Sequence, residues 1–354
     1  MTLIYFVILL SVIICLHEAG HLIAAKIFGV YCYEYSFGMG PLIWKTKKGE
    51  TQYSVRALPI GGYVAMAGET DGSEVYPDVV VPEGRKLNEA ALWKRIIILC
   101  AGVMMNFLLA FLLFSLVNLG YGYYVTSPEP VIGSLMEGLP AERAGLKEGD
   151  RILSLSAGDS TMVPESYTDI QVFLTENEGS ELTIVAERDG TRQTYTVIPD
   201  WLEEEQRYVI GITSQDRKVE DVNVLNCWKY GLEDMRMVCR LMGRTLGRLL
   251  RGRGLNQLSG PVGIYNATEE YASYGILSYL FLMAELSLNV GIFNLLPLPV
   301  LDGGQIVLNV VEAIAGRKLS ERARMIIIAA CWALLITLML YVTFQDILRL
   351  VTGR

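Results

Sequence analysis

The sequence predicts a polytopic α-helical membrane protein with about four transmembrane helices, a membrane-associated β-hairpin and an inserted β-rich domain. Its 354 residues are 52% hydrophobic and 19% charged, which lies outside the usual range of soluble globular chains. Apolar segments of the roughly 20 residues that span a bilayer lie near 2–25, 95–119, 276–300 and 325–346. Between them, β-rich sequence at 31–70 and 120–205 predicts the hairpin and the inserted domain.

These elements also predict how the chain is organised. We expect an N-terminal membrane core at 1–119, a β-rich domain at 120–205, an amphipathic helix with a connector at 206–275, and a C-terminal membrane core at 276–354. A cleaved signal peptide is the weaker interpretation of the first span, because the segment lacks a basic start and an A-x-A cleavage site.

The Lys and Arg residues beside the spans predict the orientation of the chain. They are concentrated in the loop after the first span and in the loop before the fourth, and they include Lys45, Lys47, Lys48, Arg322 and Arg324. Because such residues favour the cytoplasmic side, both loops are predicted to be cytoplasmic and the 120–275 segment extracytoplasmic. A formal net charge of −8 argues against a nucleic-acid surface, so the lipid bilayer is the predicted non-protein partner.

The first apolar span contains a group of ionisable residues. His17, Glu18 and His21 stand within ICLHEAGHLIAA at 14–25, and the two histidines are the only ones in the sequence. Residues i and i+4 share one helical face, so both imidazoles can bind one Zn²⁺ ion while Glu18 lies beside it as a general base. Each charged side chain at the centre of a span costs about 2.5–3.5 kcal/mol on insertion scales, which makes these residues functional candidates.

A catalytic zinc site needs a third protein ligand. The segment NVGIFNLLPLPVLDGGQI at 289–306 supplies Asp302 within an apolar stretch. Two prolines before the aspartate break a helix, and two glycines after it permit close backbone approach. Such an unwound segment is tolerated at membrane depth only where it packs on protein or lines a cavity. Asp302 is therefore the predicted third ligand, and Glu285 in the third span is the next candidate.

Two further segments are candidates for binding a substrate. The hairpin region at 31–70 contains the apolar strip ALPIGGYV, in which Gly61, Gly62 and Tyr63 are predicted substrate-binding residues. A small sheet beside the active helix can receive an extended substrate by strand addition, and an ordinary cytoplasmic hairpin is an equal alternative. Asn106 in the second span either joins two helices by a hydrogen bond or contributes to the substrate site.

The β-rich domain carries a specific local pattern. In AERAGLKEGDRILSL at 141–155, a short helix stops at a glycine and a Gly-Asp turn leads into a strand. Further strands are predicted at 181–188 and 193–199, on either side of an Asp189-Gly190 turn. The pattern resembles PDZ domains, which bind extended peptides by strand addition. A small sandwich that serves only as a spacer is the alternative.

A basic amphipathic helix is predicted after this domain. In MRMVCRLMGRTLGRLLRGRG, arginines recur every four residues on one helical face, at Arg236, Arg240, Arg244 and Arg248. Apolar residues occupy much of the remaining surface. We expect the helix to lie in the plane of the outer membrane surface against anionic lipids, and a solvated helix is the alternative.

Several motifs occur together in one known family. Along the chain they are HEAGH at 17–21, FGMGP at 37–41, ALPIGGYV at 57–64, LSGPVGI at 258–264 and NLLPLPVLDGG at 294–304. With the PDZ-like insert, they resemble the bacterial site-2 proteases of the RseP/RasP type over essentially the whole chain. The resemblance implies that the two histidines and Asp302 bind zinc and that Glu18 is the general base. It also implies that Asn294 contacts the substrate or the oxyanion.

The sequence departs from this family in two places. It has room for one PDZ-like domain, whereas some members have two in tandem. The second span reads AGVMMN, so Val103 stands where many members have the proline of AGPxxN. Neither departure touches a predicted zinc ligand, and both bear on how substrates are selected.

The resemblance implies a zinc-dependent intramembrane endopeptidase of the bacterial plasma membrane, with its active site toward the cytoplasmic side. Implied substrates are single-span membrane proteins, such as anti-sigma factors first shortened by another protease, and remnant signal peptides. Two rival functions are a membrane-anchored zinc protease that cuts peptides outside the bilayer and a silent scaffold that recruits partners through the PDZ-like domain. The lack of a third histidine disfavours the first rival, and the intact Glu18 disfavours the second.

Overall fold

The computed structural model describes residues 1–69, 76, 79–203, 207–252, 258–317 and 319–352. The elements in chain order are α1 (Thr2–Ile27), β1 (Cys32–Lys48), β2 (Thr51–Met66), α2 (Leu92–Tyr121), β3 (Tyr123–Val125), β4 (Ile132–Leu135), α3 (Pro140–Arg143), β5 (Arg151–Ala157), β6 (Ser160–Met162), α4 (Tyr167–Glu176), β7 (Leu182–Arg188), β8 (Thr191–Val197), β9 (Asp200–Leu202), β10 (Arg207–Val209), β11 (Ile212–Ser214), β12 (Val219–Asp221), α5 (Cys227–Leu250), α6 (Pro261–Ser273), α7 (Ile276–Asn294), α8 (Asp302–Ala315) and α9 (Glu321–Thr352). They form two compact units, a membrane unit of Met1–Tyr121 with Asn223–Arg354 and a β-rich unit of Gly122–Val222.

The predicted fold class is confirmed. Among the described residues, the helices long and apolar enough to cross a membrane are α1, α2, α7 and α9. The predicted third span continued beyond the end of α7, but this helix stops at Asn294 and a loop follows. Pro297 and Pro299 cannot donate backbone hydrogen bonds, so the helix cannot continue through them. Asp302 consequently starts the separate helix α8.

β1 and β2 extend the predicted hairpin into a larger sheet. At its far end the sheet is a simple antiparallel hairpin, in which Lys48 pairs with Thr51. Nearer to α1, Tyr35 pairs with both Tyr53 and Val64, so the second half of β2 runs along the opposite edge of β1 from the first half. The last residues of β2 therefore form an edge of the sheet, and that edge faces α1.

A carboxylate on α9 explains the LSGPVGI motif. Asp346 is 3% exposed, and its Oδ2 atom accepts hydrogen bonds from the N–H groups of Gly260 (2.8 Å) and Gly263 (2.9 Å). These N–H groups lie in the first turn of α6, where a helix supplies no partner of its own. The carboxylate caps α6 and matches its positive end, and this contact fixes the fourth span to α6.

The β-rich unit is built on a four-stranded sheet of order β6–β5–β7–β8. The predicted Asp189-Gly190 turn joins β7 and β8, and both residues have positive φ angles of 50° and 76°, as such a turn requires. The inward faces of β5 and β7 bury Ile152, Leu155 and Ile184 in the core of the unit. The Gly-Asp turn before β5 and the Asp189-Gly190 turn between β7 and β8 are the signals that predict these strands.

The two ends of the β-rich unit lie side by side. β3 pairs with β12, with Tyr123 opposite Asp221, and the Val222 N–H donates a hydrogen bond of 2.9 Å to the Gly122 carbonyl oxygen. β11 likewise pairs with β4. The unit therefore includes β10, β11 and β12, and the boundary that we expected near residue 205 lies inside it.

α5 forms the predicted basic helix and packs within the membrane unit. Asn118 on α2 donates a hydrogen bond of 2.6 Å to Asp234 on α5, and both residues are buried. Val238 packs in an apolar cluster with side chains of α2 and α7, namely Ala110, Phe114, Ala284 and Leu288. The apolar face that we expected to lie in the membrane surface is thus partly covered by protein, because these contacts fix the helix to two spans.

The GLKEGD segment of the β-rich unit is fixed by a buried carboxylate. Asp150 is 0% exposed and accepts two hydrogen bonds of 2.7 Å from Arg188 and one of 2.8 Å from the Lys147 N–H. Burial alone would raise the pKa of Asp150. The hydrogen bonds and the charge of Arg188 outweigh burial and hold the pKa of this carboxyl below its usual value.

We predict that the β-rich unit loses stability in acid through Asp150. Its pKa is lower in the folded than in the unfolded chain, so its contribution is present above the unfolded value of about 3.9 and is lost as the pH falls through the folded value. In the full-length protein, amide exchange in β5 and β7, corrected for intrinsic rates, should accelerate as the pH is lowered from about 5 to about 3. Asp150→Asn should exchange faster at pH 5 and depend less on pH. An unaltered pH dependence in this variant would contradict the assignment.

Candidate active site

The candidate site lies where α1 and α2 pack at very short distance. A Cβ added at Gly20 would lie 2.3 Å from the Ala101 carbonyl oxygen, and a Cβ added at Gly102 would lie 2.4 Å from His21 Nε2. These distances are too short for any side chain, so both positions require glycine. Their small size lets the imidazoles of α1 lie directly against the backbone of α2.

The structure brings the three predicted ligands together. His17 Nε2 and His21 Nε2 are 3.2 Å apart, and Asp302 Oδ2 lies 3.1 Å from the first and 3.5 Å from the second. Both histidines are buried, with 7% and 5% exposure. In the part of the chain that the structure describes, this cluster does not include Glu285, the alternative third ligand. The i and i+4 spacing places the imidazoles on one face of α1, and α8 supplies the carboxylate.

α2 fixes the imidazole nitrogens that face away from Asp302. The His21 Nδ1–H donates a hydrogen bond of 2.8 Å to the Ile98 carbonyl oxygen, which leaves the Nε2 lone pair free. His17 Nδ1 lies 3.2 Å from the Asn106 amide, whose Oδ1 atom is buried and has no hydrogen-bond partner among the described residues. With this amide turned so that Oδ1 faces His17, the amide oxygen accepts the His17 Nδ1–H. Asn106 is 0% exposed and lies behind a ligand rather than in the wall of the cavity.

This set of donor atoms fits a zinc ion. Asp302 Oδ2 is buried and, among the described residues, receives no hydrogen bond. In the tautomers above, three atoms with lone pairs therefore face one another, and they repel unless a cation lies among them. Ligand atoms about 2.1 Å from a tetrahedral zinc ion are about 3.4 Å apart, close to the observed separations of 3.1, 3.2 and 3.5 Å. Three protein ligands would leave the fourth position for water or substrate, as in catalytic zinc sites.

Asp302 is presented by the loop between α7 and α8. It is the first residue of α8, where the helix dipole favours a negative charge. A Cβ at Gly303 would lie 2.2 Å from the Leu295 carbonyl oxygen, and one at Gly304 would lie 2.0 Å from that of Leu298. The loop can pack on the first turn of α8 only because both residues are glycines, as the sequence suggested.

Glu18 reaches a cavity in front of the three ligands. Its Oε2 atom accepts a hydrogen bond of 3.0 Å from the backbone N–H of Val64 on β2. The cavity has a volume of about 260 Å³, and its polar lining comprises His17, Glu18, His21, Glu69, Asn294 and Asp302. The Glu18 and Glu69 carboxylates and the Asn294 amide thus share one small cavity with the three predicted ligands.

The Gly61-Gly62-Tyr63 strip adjoins this cavity. The Gly61 carbonyl oxygen accepts a hydrogen bond from Cys15 Sγ on α1 at 3.7 Å, so the strip runs along the helix that carries the histidines. The Tyr63 ring lies 5.4 Å from the Arg56 guanidinium, within the sheet. Gly62 lies between these two contacts. The three residues lead to the cavity without lining it.

Sequence reasoning missed Gly102, Val64 and Glu69. Ile98, Gly102 and Asn106 recur every four residues along α2, and all three face the histidines. That period is the signal that identifies the face of the second span that packs on HEAGH. Val64 contributes its backbone N–H, so residue type gives no signal for it. Glu69 lines the cavity from just after the sheet, outside the apolar spans, where an ionisable residue is common and gives no signal.

The chain is similar to several known proteins. A model of the family described as Peptidase family M50 matches residues 5–338. The zinc metalloprotease RasP of Bacillus licheniformis is 32% identical, with 99% of this chain and 99% of that protein covered. The regulator of sigma-W protease RasP of Bacillus subtilis is also 32% identical, with the same coverage. Among solved structures, the PDZ domain of the SdrC-like protein from Listeria monocytogenes covers 26% of this chain and 92% of its own, with 17% identity and a TM-score of 0.22.

We predict that Gly102→Ala weakens zinc binding roughly 10- to 100-fold, the usual effect of disturbing groups that orient metal ligands. The added methyl group overlaps His21 Nε2 and must displace an imidazole. Zinc affinity of the purified protein, measured by competition with a chelating dye, tests this. Gly243→Ala is the matched control, because a Cβ there meets open space on α5. Equal zinc affinities of both variants and the wild type would contradict the prediction.

Proposed function

Because the chain belongs to Peptidase family M50 and is a protease, we propose that it is a zinc-dependent intramembrane endopeptidase that cuts the membrane-spanning segments of single-span proteins. The observation that carries this proposal is the cluster of His17, His21 and Asp302. Both histidines lie within α1, a helix long and apolar enough to cross a membrane. A catalytic centre on such a helix meets its substrates inside the bilayer.

The two histidines and Asp302 would hold the metal, and Glu18 would act as the general base. A bound zinc ion supplies Lewis-acid polarisation of the scissile carbonyl and activation of water. Glu18 is one residue from His17 and is not a ligand, so its carboxylate can take the proton of the attacking water and pass it to the leaving amine. The Val64 N–H holds that carboxylate at the cavity wall until substrate arrives.

Asn294 is proposed to bind the substrate carbonyl. Its side chain belongs to the last residue of α7 and lines the cavity with Glu18 and Asp302. An amide N–H directed at the oxygen on which negative charge develops stabilises the transition state. This role agrees with the contact to substrate or oxyanion that the family resemblance implies.

The edge of β2 is proposed to receive the substrate as an extended strand. The Val64 N–H points away from β1, since it donates to Glu18. In a strand, the N–H and C=O groups of every second residue point in the same direction. The N–H and C=O groups of Gly62 therefore also point away from β1. The carbonyls of a helical substrate are hydrogen-bonded within the helix, and strand addition here compensates for unwinding it. A substrate carbonyl that accepts the Val64 N–H replaces Glu18 in this hydrogen bond. The Glu18 carboxylate is then free to accept a proton from water.

The natural substrates are proposed to be membrane-bound anti-sigma factors already shortened by another protease, and remnant signal peptides. The Bacillus subtilis relative is named a regulator of sigma-W protease, which supports a substrate of the first kind. The protein is a membrane protein, and we place it in the bacterial plasma membrane. The Lys and Arg distribution supports the proposal that the β-rich unit lies outside and the loop before α9 inside.

The β-rich unit, which contains the PDZ-like domain, is proposed to exclude untrimmed substrates rather than to capture trimmed ones. A peptide that joined β11 by strand addition would need the main-chain groups on the edge opposite β4. On that edge, the Tyr167 hydroxyl donates a hydrogen bond of 2.7 Å to the Ile212 carbonyl oxygen. The Ala141 N–H donates one of 2.8 Å to the Ile210 carbonyl oxygen. Because the unit itself occupies both carbonyls, filtering by size is favoured over peptide capture.

We predict that Glu18→Gln keeps about one zinc ion per chain and lowers cleavage by roughly 10²- to 10⁴-fold, because it removes the base and leaves the ligands. His17→Ala and Asp302→Ala should lose both zinc and cleavage. Co-expression with tagged single-span proteins and analysis of the shortened fragment measures cleavage, and zinc content is measured on the purified variants. Cleavage and zinc retained by Asp302→Ala would show that the third ligand is misassigned. Cleavage unaffected in Glu18→Gln would support a scaffold whose associated protease does the cutting.

We also predict that replacing Gly122–Val222 with a short Gly/Ser linker increases cleavage of untrimmed substrates and changes cleavage of trimmed ones much less. The ends of this unit are adjacent, so a short linker can join α2 to α5. Every proposed ligand lies in the membrane unit and should still bind zinc. Matched long and short substrates give the measurement, with Tyr167→Phe as the subtle variant that only frees the Ile212 carbonyl. Unchanged rejection of the long substrate would exclude the filter, and a selective loss of short-substrate cleavage would establish capture.

A further inference from the structure

The side chain of Gln305, one turn after Asp302, is fixed at both ends of its amide group. Its Nε2 atom donates a hydrogen bond of 2.6 Å to the Pro299 carbonyl oxygen. Its Oε1 atom accepts one of 3.2 Å from Arg324 Nη2 at the start of α9. A carbonyl oxygen can only accept and a guanidinium can only donate, so only one orientation of this amide satisfies both partners. The donor end therefore always faces Pro299.

The Pro299 carbonyl belongs to the loop that presents Asp302. Proline has no N–H, so this residue cannot anchor the loop through a donor of its own. Gln305 supplies an anchor for Pro299 through its side chain, and its backbone N–H makes the helical hydrogen bond of 3.0 Å to the Leu301 carbonyl oxygen. The residue before Asp302 and the proline two residues further back are thus both held by Gln305.

The same helix is fixed to α2. Asn309 Nδ2 donates a hydrogen bond of 2.8 Å to the Gln305 carbonyl oxygen, and Asn309 Oδ1 accepts one of 2.6 Å from Arg95 Nη1 at the start of α2. α2 also supports both histidines through Ile98 and Asn106. A continuous series of hydrogen bonds therefore leads from the helix that orients two ligands to the loop that presents the third.

We propose that Gln305 is a positioning residue for the third zinc ligand. It acts by holding the Pro299 carbonyl, and through it the loop, at the distance at which Asp302 Oδ2 meets His17 and His21. This inference rests on the proposed function, because it concerns the geometry of the proposed zinc site. Partners of this kind are known to change metal affinity without contacting the metal.

The test compares zinc affinities of the full-length protein in detergent, by competition with a chelating dye. Gln305→Met has a similar volume and no charge, and it removes both side-chain hydrogen bonds. It should weaken zinc binding roughly 10- to 100-fold, and saturating zinc should restore most of the cleavage. Gln305→Glu keeps an acceptor for Arg324 but cannot donate to Pro299 when ionised, so it should weaken binding as well. Gln345→Met on α9 is the matched control and should bind zinc as the wild type does.

Thermal unfolding of the metal-free variants separates positioning from a general structural role. A positioning residue changes zinc affinity while the melting temperature of the metal-free Gln305→Met protein stays close to that of the Gln345→Met control. Unchanged zinc affinity in both Gln305 variants would overturn the proposal, and so would a loss of affinity matched by an equal loss of metal-free stability. Failure of the proposed function is distinguishable, since the wild type would then not bind zinc or would bind it independently of His17 and Asp302.

Discussion

The close antiparallel packing of α1 against α2 is the constraint on which the site depends. Two positions four residues apart on α1 face two positions eight residues apart on α2, so that His17 meets Asn106 and His21 meets Ile98. Gly102 lies between these two contacts and leaves room for the imidazoles. Without this short distance the histidines would still share one face of α1, but their ring orientations would not be fixed.

Polar groups in a bilayer must find partners within the protein, and that requirement explains much of this architecture. The outer nitrogens of both imidazoles are bonded to α2, and Glu18 is bonded to a strand N–H that the sheet itself does not use. At the far end of the membrane unit, Asp346 caps the first turn of α6. These buried polar contacts each satisfy a group that lipid cannot, and they also fix which helices are neighbours.

The sheet of β1 and β2 links the chemistry to substrate shape. Its edge segment ends beside Glu18, so the strand addition that we propose there would bring an extended substrate to this carboxylate and to the predicted ligands. The β-rich unit is a separate compact unit whose two ends lie side by side. It can therefore be inserted in the chain between α2 and α5. The predicted ligands and the β-rich domain therefore belong to separate compact units of one chain.

The sequence by itself determined the features that follow from local periodicity and residue type. The apolar spans, the i and i+4 histidines, the break at the two prolines and the turn at Asp189-Gly190 could all be recognised because each lies within one segment. The sequence left open whether Asn106 contacts the substrate or another helix, and it gave a third span that ran too far. The first of these concerns how segments meet, whereas the second is local, because Pro297 and Pro299 end the helix.

Tertiary structure alone decided the details that make the cluster a site. The bonds from Glu18 to Val64, from His21 to Ile98 and from His17 to Asn106 join residues 46, 77 and 89 positions apart in the chain. Arg324 and Gln305 likewise form a hydrogen bond between two different helices. Such contacts depend on how helices and sheet pack, and a backbone N–H or carbonyl acts in them regardless of its side chain. Residue type therefore predicted the ligands, and packing decided which groups contact and orient their side chains.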